Sequence, residues 1–204
     1  IIPTPTVMSA HSQQKLIDFV EAGGQVLLVG TLPELDEQYH PCTLLREYLN
    51  NPKLRKPKGR SCVVHTEAVG NVYCMNALHG MDEVPDGAEA LCTEVHSGDI
   101  LGFTMERGNG RVMYLATQWI MKTFDQPQFL EWLLNQLGAK PCVQSTNRNI
   151  FTALLEDGDG HSAAFVMNLY SSPQDTVVTI YSKDGSIVRT ESVSLRPMEV
   201  IVIE

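Results

Sequence analysis

Apolar positions open the chain in two different rhythms. Ile1 and Ile2 read as the tail of a strand, and Leu16, Ile17, Phe19 and Val20 then recur at helical spacing. Ser9 supplies an N-cap residue before that stripe and Gly23-Gly24 a stop after it. The run Gln25-Val26-Leu27-Leu28-Val29-Gly30 is short and almost wholly apolar, the texture of a strand covered on both faces in a parallel sheet. Strand, helix, strand in this order predicts an α/β unit. It begins without a leading strand or a start methionine and so reads as cut from something longer.

The pattern then changes twice. Residues 31–41 form a polar loop carrying Glu34, Asp36 and Glu37, followed by a short helix over 43–49. Such a loop leaves the carboxyl end of a strand, where ligands bind in open α/β sheets, and it is the first place to look for a site. Residues 61–117 are rich in Val, Tyr and Thr and predict strands over 62–69, 72–78, 90–95 and 100–106. The Asn109-Gly110 pair reverses the chain into another at 112–116. Asp125 then caps a helix with Leu130, Leu133, Leu134 and Leu137 at i, i+3, i+4 and i+7, stopped by Gly138 and Pro141. Beyond Cys142, five strand-like runs separated by Asp-Gly, Ser-Pro and Lys-Asp-Gly turns predict a small antiparallel β-sandwich. The chain thus divides into an α/β domain over 1–140 and a β-sandwich over 141–204.

Composition narrows the function classes. The chain has 204 residues, 43% of them apolar, enough for real cores, and no apolar run near the ~20 residues a membrane helix needs. No signal-peptide pattern is present. A formal charge of -9 disfavours nucleic acid, which is bound by clustered cations. The basic run Lys53, Arg55, Lys56, Lys58 and Arg60 is broken by prolines and a glycine and reads as a solvated connecting loop. Five scattered cysteines without a CxxC read as small buried hydrophobes of a reducing compartment, the cytoplasm.

The candidate chemistry is sparse. Cys62, His65, Cys74 and His79 are all zinc-ligand types, but Cys62 and His65 lie three apart in a strand and point to opposite faces. Asp157, Asp159 and His161 open like a calcium loop, yet Ser162 stands where glycine is needed and Asn168 where the bidentate glutamate is, so a hairpin turn is expected. Cys42 with His65 and Glu67 raises a nucleophilic triad of the class I glutamine amidotransferase kind. That chemistry needs the cysteine on a strand-to-helix elbow, and Gly30 is followed instead by Thr31-Leu32-Pro33. Glu34, Asp36 and Glu37 lie too close along one loop to flank a glycosidic bond by themselves.

The residues from Ile1-Ile2-Pro3-Thr4-Pro5 through Leu16 to Gly30 resemble the amidotransferase-like domain that follows the catalytic barrel in bacterial β-galactosidases of glycoside hydrolase families 35 and 42, called the trimerisation domain in family 42. The stretch 32–45 looks closer to the family 35 type. Residues 108–115 resemble a late hairpin of the same domain, and residues 142–204 the small β-domain after it.

The resemblance implies a flavodoxin-like, class I glutamine amidotransferase-like α/β fold without a nucleophile, joined to the sandwich. It also implies an upstream barrel of the same chain that carries both catalytic glutamates, so no catalytic residue, metal or cofactor falls on these 204 residues. The expected role is oligomer contacts in a β-galactoside-hydrolysing homo-oligomer, with Glu34, Asp36 and Glu37 as an interface or cleft loop. Two alternatives stand beside it: a carbohydrate-binding module using Tyr170 and Tyr181, and a hydrolase using Cys42.

Overall fold

The computed structural model describes residues 1–58, 62–118 and 125–203, Asp125 by its backbone alone. Arg60 and the Asp125 side chain, both singled out above, lie outside the described residues. The chain divides into two units, Ile1–Gly138 and Ala139–Glu204.

The first unit runs β1 (Ile2–Thr4), α1 (Ala10–Glu21), β2 (Gln25–Gly30), α2 (Leu44–Tyr48), β3 (Cys62–Thr66), β4 (Gly70–Cys74), β5 (Asn76–Ala77), β6 (Ala88–Glu94), β7 (Ile100–Arg107), β8 (Gly110–Leu115), β9 (Thr117–Gln118) and α3 (Asp125–Gln136). Seven strands form one sheet in the order β1-β2-β8-β7-β6-β3-β4, and β5 pairs with β9 separately.

Local signals explain its start. Ser9 Oγ accepts the Ser12 amide at 3.1 Å, capping α1. Gly23, at φ +104, turns the helix off, with its amide bonded to Val20 O and that of Gly24 to Phe19 O. This paired return is a Schellman stop, and only glycine reaches its φ without strain. In β2, Val26 and Leu28 face α1 and α2 through one apolar core that also holds Val20, Leu45, Phe103 and Tyr114. Leu27 faces the opposite core, with Met113, Leu115 and the α3 residues Phe129, Leu133 and Leu137.

The flavodoxin-like expectation fails here. Only β1, β2 and β8 run parallel, and the other four strands of the sheet join by antiparallel pairing. A parallel connection needs a crossover of a dozen or more residues, usually a helix. Between Cys62 and Leu115 the links are short, as at Glu67-Ala68-Val69 and Gly108-Asn109. The chain is therefore mostly β, with three helices among the described residues.

Two turns differ in detail from their sequence signals. Arg107 pairs with Gly110, so the β7–β8 loop is Gly108-Asn109 and not Asn109-Gly110, with Gly108 at φ +54 as its first central residue. Gly110 is needed for another reason: a Cβ there would lie 2.1 Å from Gly24 O. The strand expected over 72–78 breaks at Met75, whose amide bonds Gln118 O, and its second half leaves the large sheet to pair with β9.

Three members of the basic run, Lys53, Arg55 and Lys58, are paired with carboxylates from residues 82–99. Arg55 donates to both oxygens of Asp82 (2.9 and 2.7 Å) and both of Asp99 (3.2 and 2.8 Å), and Lys58 Nζ reaches Asp82 at 2.9 Å. Lys53 pairs with Glu83 at 2.5 Å.

Three cysteines are inert by burial. Cys62 and Cys74 are register partners across β3 and β4, and both are fully buried with Cys92 close to the same core. The hydrogen bond with Cys74, then burial, pushes the Cys62 thiol far up, and burial does the same to Cys92. Both stay protonated and pack as apolar groups.

The second unit contains β10 (Val143–Ser145), β11 (Ile150–Glu156), β12 (Ser162–Asn168), β13 (Gln174–Tyr181), β14 (Ile187–Leu195) and β15 (Val200–Ile203). They make two antiparallel three-stranded sheets, β10-β13-β14 and β11-β12-β15. Alternate residues of both, including Ile150, Val166, Val178, Leu195 and Ile203, share one core.

Candidate functional site

The carboxyl ends of β1, β2 and β8 converge on the loop 31–41. Gly30 leaves β2 at φ +130, and a Cβ on it would meet Thr4 O at 2.5 Å. No residue with a side chain fits at Gly30, and the positions after it, where a strand-to-helix elbow would carry a nucleophile, hold Thr31, Leu32 and Pro33. The chain then continues through buried Leu32 and Pro33 without entering a helix.

Backbone bonds tie this loop down. The amides of Glu34 and Leu35 donate to Thr6 O, that of Met8 to Leu35 O, and that of Cys42 to Glu34 O. Within the loop the three carboxylates have separate tasks. Asp36 accepts the Gln38 and His40 amides at 2.8 and 2.9 Å, and the His40 bond is the largest influence holding its carboxyl below the usual range. It is a turn-holding group. Glu34 reaches outward and receives Arg46 of α2 at 3.3 Å. Glu37 is exposed next to Tyr39, which sits at φ +61 on the loop tip.

Arg46 and His79 complete a polar cluster with Glu34. Burial pushes the half-buried His79 imidazole below its ordinary range, with Glu34 pulling the other way and Arg46 adding to the push. Beneath them the buried Tyr114 donates to Gly30 O at 3.0 Å. Sequence reasoning had His79 only as a zinc-type residue and missed Arg46 altogether. Their partnership with Glu34 spans 12 and 45 positions, which no local periodicity encodes.

Beside β2, on the α3 face of the sheet, lies an apolar cavity of about 540 Å³. Pro3, Leu27, Val29, Leu115 and Leu133 wall it, and Thr117 and Gln118 are its polar members. Among the described residues it holds no carboxylate, thiol or imidazole, so it offers no acid, base or nucleophile.

Of the other sequence candidates, Asp157, Asp159 and His161 do come together, their ligand atoms within 4.8 Å of one another at the exposed β11–β12 turn, while the Cys42 and zinc-type sets do not. Cys42 Sγ receives the Gln13 amide at 3.4 Å, whereas His65 Nδ1 is bound to Asn71 Oδ1 at 2.8 Å on β3 and β4. Nothing in these contacts joins Cys42 to His65 or Glu67. Of the zinc quartet, Cys62 and Cys74 are buried together while His65 is exposed on the strand's other side. Asp157 spends its carboxylate on the Asp159 and His161 amides of the β11–β12 turn. Asn168 is consumed by backbone: it donates to Ser172 O and Arg196 O and accepts from Tyr170 N. Tyr181 lies on β13 of one sheet, and Tyr170 follows β12 of the other.

Among the described residues no helix is long and apolar enough to cross a membrane.

Residues 1–88 match the protein family described as GLMA-like, second domain. The exo-β-D-glucosaminidase of Pyrococcus horikoshii is 30% identical over 154 residues, which are 70% of this chain and 19% of that protein. The exo-β-D-glucosaminidase of Thermococcus kodakarensis is 24% identical over 175 residues, 81% of this chain and 21% of the relative. The chain therefore spans about a fifth of the relatives it matches.

In fold it is similar to the β-galactosidase of Bacillus circulans sp. alkalophilus, with a TM-score of 0.72 at 16% identity, covering 98% of this chain and 32% of that one. Gan42B, a GH42 β-galactosidase, gives a TM-score of 0.70 at 16% identity, covering 98% and 30%. Residues 1–88 are thus similar in sequence to the GLMA-like second domain, and the chain as a whole shares the fold of part of the GH42 β-galactosidases.

Proposed function

We propose that the chain is an accessory, non-catalytic portion of a glycoside hydrolase that acts on terminal β-glycosides, and that it serves subunit contacts and the edge of a neighbouring cleft. The observation that carries the reading is the carboxyl edge of β1, β2 and β8, where the residues after β2 are Thr31-Leu32-Pro33, which carry no thiol and enter no helix. The cavity beside it is lined almost wholly by apolar groups. The naming of both sequence relatives as exo-β-D-glucosaminidases supports a β-D-glucosaminide as the parent's substrate. The fold shared with GH42 β-galactosidases supports a β-galactoside as the second reading.

The loop 31–41 is the part of this portion that meets substrate or a neighbour. Glu34 is its outward carboxylate, held by Arg46, and Asp36 shapes the turn that presents it. In the full-length protein Glu34→Ala is expected to lower kcat/KM on its β-glycoside, or to weaken assembly, by roughly tenfold, about the effect of one charge-assisted hydrogen bond. Kinetics and sedimentation that both match the wild type would remove the loop from the cleft and from the interface.

A further inference from the structure

The chain closes residues 36–40, 157–161 and 182–186 with the same pair of backbone bonds. In each, the first amide donates to the fifth carbonyl and the fourth amide to the first carbonyl. The bonds are Asp36 N to His40 O and Tyr39 N to Asp36 O, then Asp157 N to His161 O and Gly160 N to Asp157 O, then Ser182 N to Ser186 O and Gly185 N to Ser182 O. The fourth residue of such a turn takes the left-handed backbone that glycine reaches without strain. Gly160 and Gly185 fill that place, both at φ +87, but in 36–40 it is filled by Tyr39, at φ +61.

A tyrosine in this position costs stability, because a left-handed backbone is strained for a bulky side chain. The ring stands 73% exposed, and no other large apolar side chain of the loop 31–41 is exposed beside it: Leu32 and Pro33 are buried and Leu35 is half-buried. Nor does the turn need the ring. The Asp36 carboxylate holds it through the Gln38 and His40 amides, as Asp157 holds 157–161 through the Asp159 and His161 amides with Gly160 in place. Strain kept where glycine would serve points to a use outside the fold.

We infer that Tyr39 is a stacking platform for a pyranose ring of the β-glycoside, at the edge of the cleft that the loop 31–41 borders. The inference deepens the proposed function and rests on its placement of that loop. The surroundings of the ring favour a sugar over a protein surface. A pyranose has a face of C–H bonds and a rim of hydroxyls, so it is met by one aromatic ring set among polar groups. Glu37, Gln38 and His40, all exposed, supply such groups on either side of Tyr39. The aromatic anchor of a protein interface is instead packed round by contacts that exclude water, which this loop lacks. A platform of this kind binds ground state and transition state alike, so its loss is read in KM and not in kcat.

Steady-state kinetics of the full-length protein on the β-1,4-linked glucosamine disaccharide and on lactose, the two substrate types of the proposed function, provide the test. Tyr39→Gly, which copies the other two turns, is expected to raise KM roughly tenfold while kcat changes by less than about twofold. Tyr39→Phe keeps the ring and should stay within about twofold of the wild type in both constants. Tyr39→Gly should also unfold at or above the wild-type midpoint, since glycine relaxes the backbone. An unchanged KM in Tyr39→Gly overturns the inference, as does a Tyr39→Phe enzyme equally impaired. A lowered midpoint would make the ring structural and overturn it as well. So would a Tyr39→Gly protein that loses mass in sedimentation while its assembled fraction keeps the wild-type KM, which would assign the ring to a neighbouring subunit. Glu34→Ala measured alongside separates the two readings: a defect there beside a silent Tyr39→Gly removes the platform and keeps the loop, whereas silence in both removes the role of the loop itself.

Discussion

Asp99→Ala is expected to lower the stability of the first unit by about 3 kcal/mol, read as a fall in the urea midpoint at an unchanged slope. The carboxylate is 1% exposed, accepts both terminal nitrogens of Arg55 and takes the Lys58 amide at 2.9 Å. Removing it leaves the Lys58 amide without its acceptor and Arg55 half-paired, and it frees the loop 52–58 from the start of β7. Arg55 keeps Asp82 and some water, which holds the loss below the upper range for a broken buried pair.

Acid should produce the same loss in the wild type. The Arg55 guanidinium, its largest influence, holds the Asp99 carboxyl at about 2, against an ordinary 3.8. A depressed folded value means the stabilisation is complete above pH ~4 and disappears as pH falls through ~2. The gap between wild type and Asp99→Asn should therefore close over that window. A gap that stays constant from pH 6 to about 2 would show that Asp99 acts through shape and not through charge.

Gly30→Ala should cost more than about 3 kcal/mol or abolish folding. Two penalties coincide: φ +130 is a backbone region that L side chains avoid, and the new Cβ would lie 2.5 Å from Thr4 O. Thr4 cannot step aside, because it is buried and its carbonyl also receives the Thr31 amide. Gly70, at φ +81 in the β3–β4 turn with nothing within 4 Å, provides the control. Gly70→Ala should cost about 1 kcal/mol, the conformational part alone. Equal losses at the two sites would mean that the close approach at Gly30 relaxes.

Sequence pattern carried the elements whose cause is local. Ser9 and Gly23-Gly24 bracket α1 because a cap bond and a left-handed glycine act within a few residues. The leucines of α3 and the alternation along β11 to β15 were legible for the same reason, since burial follows a fixed period within each element. The pairing of strands was not. The β1-α1-β2 start suggested a doubly wound sheet, but whether the next strand joins parallel or antiparallel depends on the length and content of residues 62–115, which lack helices. The split of 72–78 between two sheets depends on β9, some 40 residues later.

The candidate site was half legible. The position and acidity of the loop 31–41 could be read directly, whereas its division of labour could not: Asp36 is recognisable as a turn-holder only once its two amide donors are placed. The basic run is legible as a loop from its prolines and glycine, but the partners Asp82 and Asp99 lie 27 and 44 positions away from Arg55.

The central proposal is that these 204 residues serve as a non-catalytic portion. Incubating the purified chain and its Cys42→Ala variant with chromogenic β-D-glucosaminide and β-D-galactoside tests it most directly. The account predicts release indistinguishable from buffer for both proteins and both sugars. Release that scales with protein concentration would contradict it, and loss of that release in Cys42→Ala would identify the thiol as the centre.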